Sequence, residues 1–588
     1  MILQALTSLY ETLAQKGEIS KEGWSREKIS FALSIDEEGN LLRVTPLFDT
    51  VDGPKGKTRE VPQKMTVPAA VKRTSGAAAN FLWDNSSYIL GVSLKKGEDD
   101  AEREKRRNKD IKCFEACREL HHSMLDGMEY PAAKAVLNFL DKWEPQKAEE
   151  NNLVAQYAKE ILSGANMVFR FNGGYVHDDP QLASVWQKAN AKQKDNIGQC
   201  LVTGALDEIQ NTHPTIKGVQ GAQSSGAALV SFNASAFCSY NKEQNQNAPL
   251  GKYAAFAYTT ALNHLLADRK NVHRIGDAAV VCWAENADKQ YEDFAAEVFF
   301  GDNVDKSDEQ RLSALRTSLK LLADGLPCKE MDLDPDRKFY ILGLSPNAAR
   351  LAVRFFYCDS FGKIAGNIYK HHERLEIVRP SYDKFPILPL WKLLSATVNP
   401  NAKDKTPNAA MAGAVARAVF SGGRYPASLL ECTFLRIKAE RNITRERAAI
   451  IKAYYLRNPN EKCPKEVLTV SLNENSKNIP YTLGRLFSVY EEIQQAANPG
   501  INTTIKDRYF GSAAAMPATV FPILSNLAQK HLRKLSDAQR VYLDKKVMTL
   551  KSVLGEQYPA HMSLPEQGSF DLGYYHQTQA RYTKKEDK

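Results

Sequence analysis

The sequence is short of the features that mark most specialised chemistries. Its nine cysteines are scattered over 588 residues without regular spacing. They make no disulfide framework and read as reduced thiols in a cytoplasmic protein. No apolar run approaches the roughly 18–20 residues that span a bilayer. The longest candidate, Met411 to Phe420, is interrupted by Arg417. The first residues lack a basic leader and a cleavage site. Instead Ile2, Leu3, Leu6, Leu9, Tyr10 and Leu13 stand at helical spacing, an amphipathic helix docked on a core. With 43% hydrophobic and 25% charged residues, the chain is neither disordered, collagen-like nor coiled coil. Its length predicts two to four domains.

Catalytic signatures are missing too. Gly53-Pro54-Lys55-Gly56-Lys57-Thr58 imitates a phosphate-binding loop, but Val51 stands where the first glycine belongs and Pro62 blocks the following helix. A flexible basic loop is the simpler reading. Cys113, Cys117 and His121 recur at i, i+4 and i+8 on one predicted helix; a structural zinc wants four ligands from separated elements, so a core-facing stripe is expected. Gly221-Ala222-Gln223-Ser224-Ser225-Gly226 lacks nucleophile-elbow spacing. His177-Asp178-Asp179 and His371-His372-Glu373 could serve a metal-dependent nuclease using His177, Asp178, Asp179 and His371. They have no acidic partner cluster of recognisable spacing, and an aspartate before Pro180 is more simply a helix N-cap. No catalytic residue, metal or cofactor is assigned.

What the chain does have is an uneven charge. Residues 401–588 hold 28 Lys+Arg against 17 Asp+Glu, a balance of +11, while residues 1–400 balance at −2. That asymmetry points to a polyanionic partner for the last third. The periodicity divides the same way. Before about 395, strand-like runs (Ile29–Ile35, Leu41–Phe48, Met167–Phe171, Ala227–Phe232, Ala278–Trp283, Phe339–Leu344, Leu351–Tyr357) mix with helices over 111–125, 131–143, 152–162, 253–267 and 310–323. A loop is expected over 49–62, and a solvated helix start or loop over 98–110. Beyond an Asn/Lys/Pro-rich break, one apolar stripe runs through Leu483, Leu486, Phe487, Tyr490 and Ile493. Another runs through Val520, Ile523, Leu524 and Leu527 and continues at Tyr542, Val547 and Leu550. The expected fold is α+β: a mixed domain with a largely antiparallel sheet (1–397), then a C-terminal helix bundle (398–588).

Two polar, glycine-punctuated segments suit nucleic acid. One runs from His213 to Gly226, where Gln220, Gln223, Ser224 and Ser225 can meet base edges or phosphates and Lys217 can neutralise a phosphate. The other is Lys72-Arg73-Thr74-Ser75-Gly76, followed by Asn80 and Trp83-Asp84-Asn85. In the last third, Arg436, Lys438, Arg441, Arg445, Arg447, Arg485, Lys506, Arg508, Lys530, Arg533 and Lys534 fall outside the apolar stripes, with few carboxylates nearby. Lys506 and Arg508 adjoin Tyr509 and Phe510, mixing charge with stacking surface.

His213 to Asn233, Asn247-Ala248-Pro249, Ala255 to Asn263, Arg73 to Gly76, Leu82 to Asn85, Leu342 to Arg350, Tyr481 to Phe487 and Ile505 to Phe510 together resemble the large subunit of the type I-C CRISPR surveillance complex, Cascade. The resemblance covers nearly the whole chain. It implies a non-catalytic, cytoplasmic subunit of a crRNA-guided ribonucleoprotein that acts in antiviral defence. Such a subunit recognises the protospacer-adjacent motif (PAM) in double-stranded DNA, promotes R-loop formation, holds the displaced strand and helps recruit a helicase–nuclease. The implied partners are crRNA, target DNA, the Cascade backbone and crRNA-handle-binding subunits, small subunits and the helicase–nuclease, with no membrane. It also implies that the helical bundle 398–588 is small-subunit-like, with about 467–588 also made separately by internal translation. Chemistry within the matched segments assigns PAM-proximal DNA contacts to Lys72, Arg73, Ser75, Asn80, Gln220, Gln223, Ser224, Ser225 and Asn233. The displaced strand is assigned to Arg436, Lys438, Arg441, Arg485, Lys506, Arg508, Lys530, Arg533 and Lys534. The alternatives are the stand-alone nuclease above and a purely structural ribonucleoprotein subunit.

Overall fold

The computed structural model describes residues 1–52, 58–71, 73, 76–95, 97–191, 196–232, 234–301, 309–383 and 385–582. The chain forms two compact units. The first holds Leu3–Pro214 and Phe232–Ala261, the second Thr215–Ser231 and Leu262–Lys588. The fold is α+β.

In the first unit, β2 (Phe31–Ile35), β3 (Leu41–Pro46), β6 (Trp83–Asn85), β7 (Asn166–Phe171) and β8 (Gly174–Tyr175) form a five-stranded sheet of order β3-β2-β7-β6, with β8 paired to β7. The β2–β7 pair is parallel, Leu33 facing Phe169, and the other pairs are antiparallel. Helices Asp100–Leu125 and Pro131–Lys142 cover it, burying Phe114, Cys117, Val136 and Phe139 with Leu33 and Phe169. The expected 49–62 loop is largely strand. β4 (Phe48–Asp52) and β5 (Thr58–Pro68) pair with each other, β5 with β1 (Trp24–Ile29), and β9 (Ile197–Gln199) with β10 (Leu206–Glu208). Alternation around Val61 and Val67 carries the β4–β5 hairpin, and its proline and lysine content hides it. The tip, residues 53–57, lies outside the described residues. The first helix, Ile2–Gln15, buries Leu6, Leu9, Tyr10 and Leu13 as its spacing predicts.

The second unit contains the antiparallel sheet β11 (His273–Ile275), β12 (Ala278–Ala284), β13 (Lys338–Asn347) and β14 (Arg350–Ser360), in that spatial order. From residue 390 onward its described elements are helical, apart from one isolated bridge, Asn460–Cys463. Ile341 and Phe361 share one core with Met411, Val415, Leu486 and Phe570. The compact units therefore do not part at 397/398: the Asn/Lys/Pro-rich stretch there is a loop inside the second unit. The stripe on helix Ile479–Ala497 is buried as read. On the later stripe Ile523 and Tyr542 are exposed, because only one edge of each helix meets the core.

Helix Leu564–Ala580 opens with a capping box, in which Ser563 and Glu566 satisfy each other's backbone N–H groups, and with Pro565 in its first turn. Its residues 567–577 are all buried. It crosses helix Ile479–Ala497 where glycines meet backbone. A Cβ on Gly484 would lie 1.9 Å from the Phe570 carbonyl oxygen, and one on Gly573 would lie 2.1 Å from that of Tyr481. Only hydrogen fits at this crossing.

Candidate nucleic-acid interface

The glutamine–serine segment is a loop closed at its base. Ile216 and Ala227 exchange backbone hydrogen bonds of 2.9 Å. Beyond that bridge Ala228 pairs singly with Arg350, so the expected strand Ala227–Phe232 shrinks to two bridging residues. Asn263, on helix Lys252–Ala267, clamps the base with both ends of its amide. Oδ1 accepts from the Lys217 N–H at 2.8 Å, and Nδ2 donates to the Thr215 carbonyl at 3.0 Å. The Thr215 hydroxyl donates to the Ser225 carbonyl at 3.2 Å. Gly226 has φ +101°, and a Cβ there would lie 2.7 Å from the Thr215 side chain, so this corner requires glycine. Ile216 and Val219 are buried and pin the loop from beneath.

Above that base, Gln220, Gln223, Ser224, Ser225 and Lys217 are exposed. The tip is held by Ala222 N–H to Val219 O (3.2 Å) and Gly226 N–H to Gln223 O (2.9 Å). Arg274, on β11, donates from Nη1 to Gln220 Oε1 at 3.2 Å and from Nε to the Gly276 carbonyl at 3.1 Å. Amide and hydroxyl groups on a fixed backbone beside a guanidinium can hydrogen-bond bases and phosphates together. Sequence reasoning missed Arg274, which lies outside every recognisable segment. Asn263 lies within one, but nothing in its spacing marks it as the clamp.

The second segment is used internally. Arg73 pairs with the buried Asp84 carboxylate, donates to the Ala78 carbonyl at 2.7 Å and lies 4.0 Å over the Tyr88 ring. Asn80 is buried, its Oδ1 accepting from the Val71 N–H at 2.9 Å. Arg73 is exposed yet engaged and Asn80 is buried, and both tie down the chain around Asp84. Lys72, Ser75 and Asn233 lie outside the described residues.

The basic residues of the helical third divide. Arg445, Arg447 and Arg485 are buried although they fall outside the apolar stripes. Arg445 pairs with Asp383 at 3.0 Å and Arg447 with Glu440 at 2.6 Å. Arg485 donates to Gln577 Oε1 (3.1 Å) and to the carbonyls of Asn473 and Glu474 (3.3 and 3.2 Å), and burial pulls its pKa below the usual range. Each sits on a face that the amphipathic pattern alone reads as polar, but a carboxylate or carbonyl set by tertiary packing answers it. Arg436 is mostly covered beside Glu440. Exposed are Lys438, Arg441, Arg508, Lys530, Arg533 and Lys534, with Lys506 half-buried. Arg441 donates to the Asp507 carbonyl, linking the end of helix Ala427–Glu440 to helix Ile505–Ala515. Arg508 lies 5.3 Å over the Tyr509 ring.

Most of the metal candidates are otherwise engaged; His177 is the exception, buried with neither ring nitrogen hydrogen-bonded and Nε2 3.6 Å from the Asp178 carboxylate. His121 is buried, with Nδ1 2.7 Å from the Cys117 carbonyl and Nε2 accepting the Leu82 N–H at 2.9 Å. Burial holds its pKa down at about 4. His371 Nδ1 meets the Tyr425 hydroxyl at 2.6 Å. Asp179 caps helix Pro180–Ala191, accepting from the Gln181 N–H at 2.9 Å. Among the described residues no group of three His, Cys, Asp or Glu could hold a metal ion. No helix among them is long and apolar enough to cross a membrane.

A search of the curated proteins found no match. A family model described as CRISPR-associated protein (Cas_Csd1) matches residues 6–582. With nearly the whole chain matched, the protein belongs to the Cas_Csd1 family of CRISPR-associated proteins.

Proposed function

We propose that this CRISPR-associated protein is the non-catalytic large subunit of a type I-C crRNA-guided Cascade complex. In this reading it recognises the PAM in duplex DNA through the 215–226 loop and promotes duplex opening. The exposed cations of the helical third hold the displaced strand, and the subunit helps recruit the helicase–nuclease. The observation that carries the reading is the loop: four exposed amide and hydroxyl side chains on a base fixed by Asn263, inside a chain of a CRISPR-associated family. The surplus of positive charge after residue 400 supports the second half.

The test uses the assembled, guide-loaded complex. Binding to a PAM-bearing duplex should weaken with salt, as counterion release demands. Gln223→Ala should lower discrimination between correct and wrong motifs by roughly tenfold. Full selectivity in that variant would remove the loop from the reading. Charge reversal at Lys530, Arg533 and Lys534 should slow strand separation, and unchanged separation would leave only a structural role.

A further inference from the structure

We infer that Arg274 and Gln220 form a joint hydrogen-bond-donating head that reads an acceptor-rich base edge, guanine foremost. The inference rests on the reading that the 215–226 loop meets duplex DNA. A glutamine amide is ambivalent, donating at one end and accepting at the other. A glutamine with both ends available pairs with adenine through N6 and N7. Here the acceptor end is engaged: Arg274 Nη1 donates to Gln220 Oε1 at 3.2 Å. Nε2 has no partner among the described residues, so the donor end is the one left to a ligand.

Arg274 is restrained in turn. Its Nε donates to the Gly276 carbonyl at 3.1 Å, and its own residue pairs with Ala279 across the β11–β12 ladder. A guanidinium carries five N–H donors. Two are used in these contacts, which leaves three. The pair thus offers donors from two side chains. Both are exposed, and each sits on backbone held from below, by buried Val219 on one side and Ile275 on the other. In the major groove guanine shows two adjacent acceptors, N7 and O6, thymine shows O4, and cytosine shows an N4 donor. Guanine therefore fits the head best, thymine offers one site, and cytosine opposes it.

The test is equilibrium binding of the guide-loaded complex, at fixed salt, to duplexes varied one base pair at a time beside the guide-matched stretch. The expected result is a preference for guanine at one position. Replacing that base by 7-deazaguanine, which lacks the N7 acceptor, should weaken binding roughly tenfold. Gln220→Ala should flatten the preference at that position roughly tenfold and leave other positions intact. Arg274→Lys, which keeps the charge and loses the fork, should do the same. Gln220→Glu keeps a partner for Arg274 but donates nothing, so it should behave as Gln220→Ala does. Co-purification of each variant with the complex establishes that it has folded. A uniform loss over all duplexes would mean phosphate contact and overturn the inference. So would an undiminished preference; either result leaves the loop's role in DNA binding standing. A wild-type complex with no preference at any flanking position removes that underlying reading and this inference with it.

Discussion

Gly573→Ala isolates what the crossing of helices Ile479–Ala497 and Leu564–Ala580 contributes. The added Cβ would sit 2.1 Å from the Tyr481 carbonyl oxygen and 2.9 Å from its carbon. Ordinary van der Waals contact begins at 3.4 Å, so the helices must part by about 1.3 Å. Backbone cannot rotate away as a side chain can. A gap of that size forfeits about half the dispersion well between facing atoms. Leu483, Phe487, Phe570 and Tyr574 are buried at this crossing. Losing about half of about 1.5–3 kcal/mol at each of the four amounts to about 3–6 kcal/mol. Alanine returns about 1 kcal/mol of helix propensity. The net expectation is a destabilisation of about 2–5 kcal/mol, read as a loss of amide-exchange protection in the two helices of roughly 30-fold at the least and on the order of a thousandfold at the most, at about 1.4 kcal/mol per decade. Gly511→Ala is the control. It lies in helix Ile505–Ala515, where an added Cβ meets nothing within 4 Å, and it should stabilise by up to about 1 kcal/mol. If Gly573→Ala behaved like Gly511→Ala, propensity alone would govern the site and the close-approach argument would be wrong.

The first unit should lose stability as pH falls from about 6.5 toward about 4. His121 is held neutral when folded, with its pKa depressed to about 4 by burial, so between those values the unfolded chain binds the extra proton. This contributes about 3 kcal/mol over the window. Calorimetry of the first-unit transition checks it, and His121→Phe should flatten the slope. Arg485→Ala should cost the second unit about 2–4 kcal/mol by orphaning Gln577 and two carbonyls; a stability change within 0.5 kcal/mol would show that water replaces those bonds. Asn263→Leu removes both clamps on the glutamine–serine loop. Limited proteolysis should then cut within 215–226 roughly tenfold faster, whereas unchanged cleavage would assign loop rigidity to Ile216 and Val219 alone.

Elements with one clear period were legible before any coordinates. The stripe at Leu483, Leu486, Phe487, Tyr490 and Ile493 is buried where spacing put it, and Phe339–Leu344 pairs with Leu351–Tyr357 around a short turn. The β4–β5 hairpin was lost because lysine, proline and glycine dominate its local composition, while its pairing partner β1 lies far upstream. The exposed glutamines and serines of the candidate site were legible as polar residues between glycines. Which polar groups were already engaged was not. Arg73, Asn80 and Arg485 look available in sequence, yet each has partners set by tertiary contacts: Asp84, the Val71 N–H and Gln577 respectively. Arg274 carried no local signal, because its partner is 54 residues away.

The glycine crossing bears on how the protein comes into being. The helix at the middle of the second unit's core, Leu564–Ala580, follows in the chain the helices and strands that close around it. A nascent chain therefore presents an open apolar trough lined by Ile451, Tyr455, Leu483 and Phe487 until that segment emerges and threads Gly573 against the waiting Tyr481 backbone. Assembly of this unit is gated by a helix made after the elements that enclose it, and premature termination upstream of residue 564 would leave a sticky, chaperone-dependent intermediate rather than a slightly smaller protein.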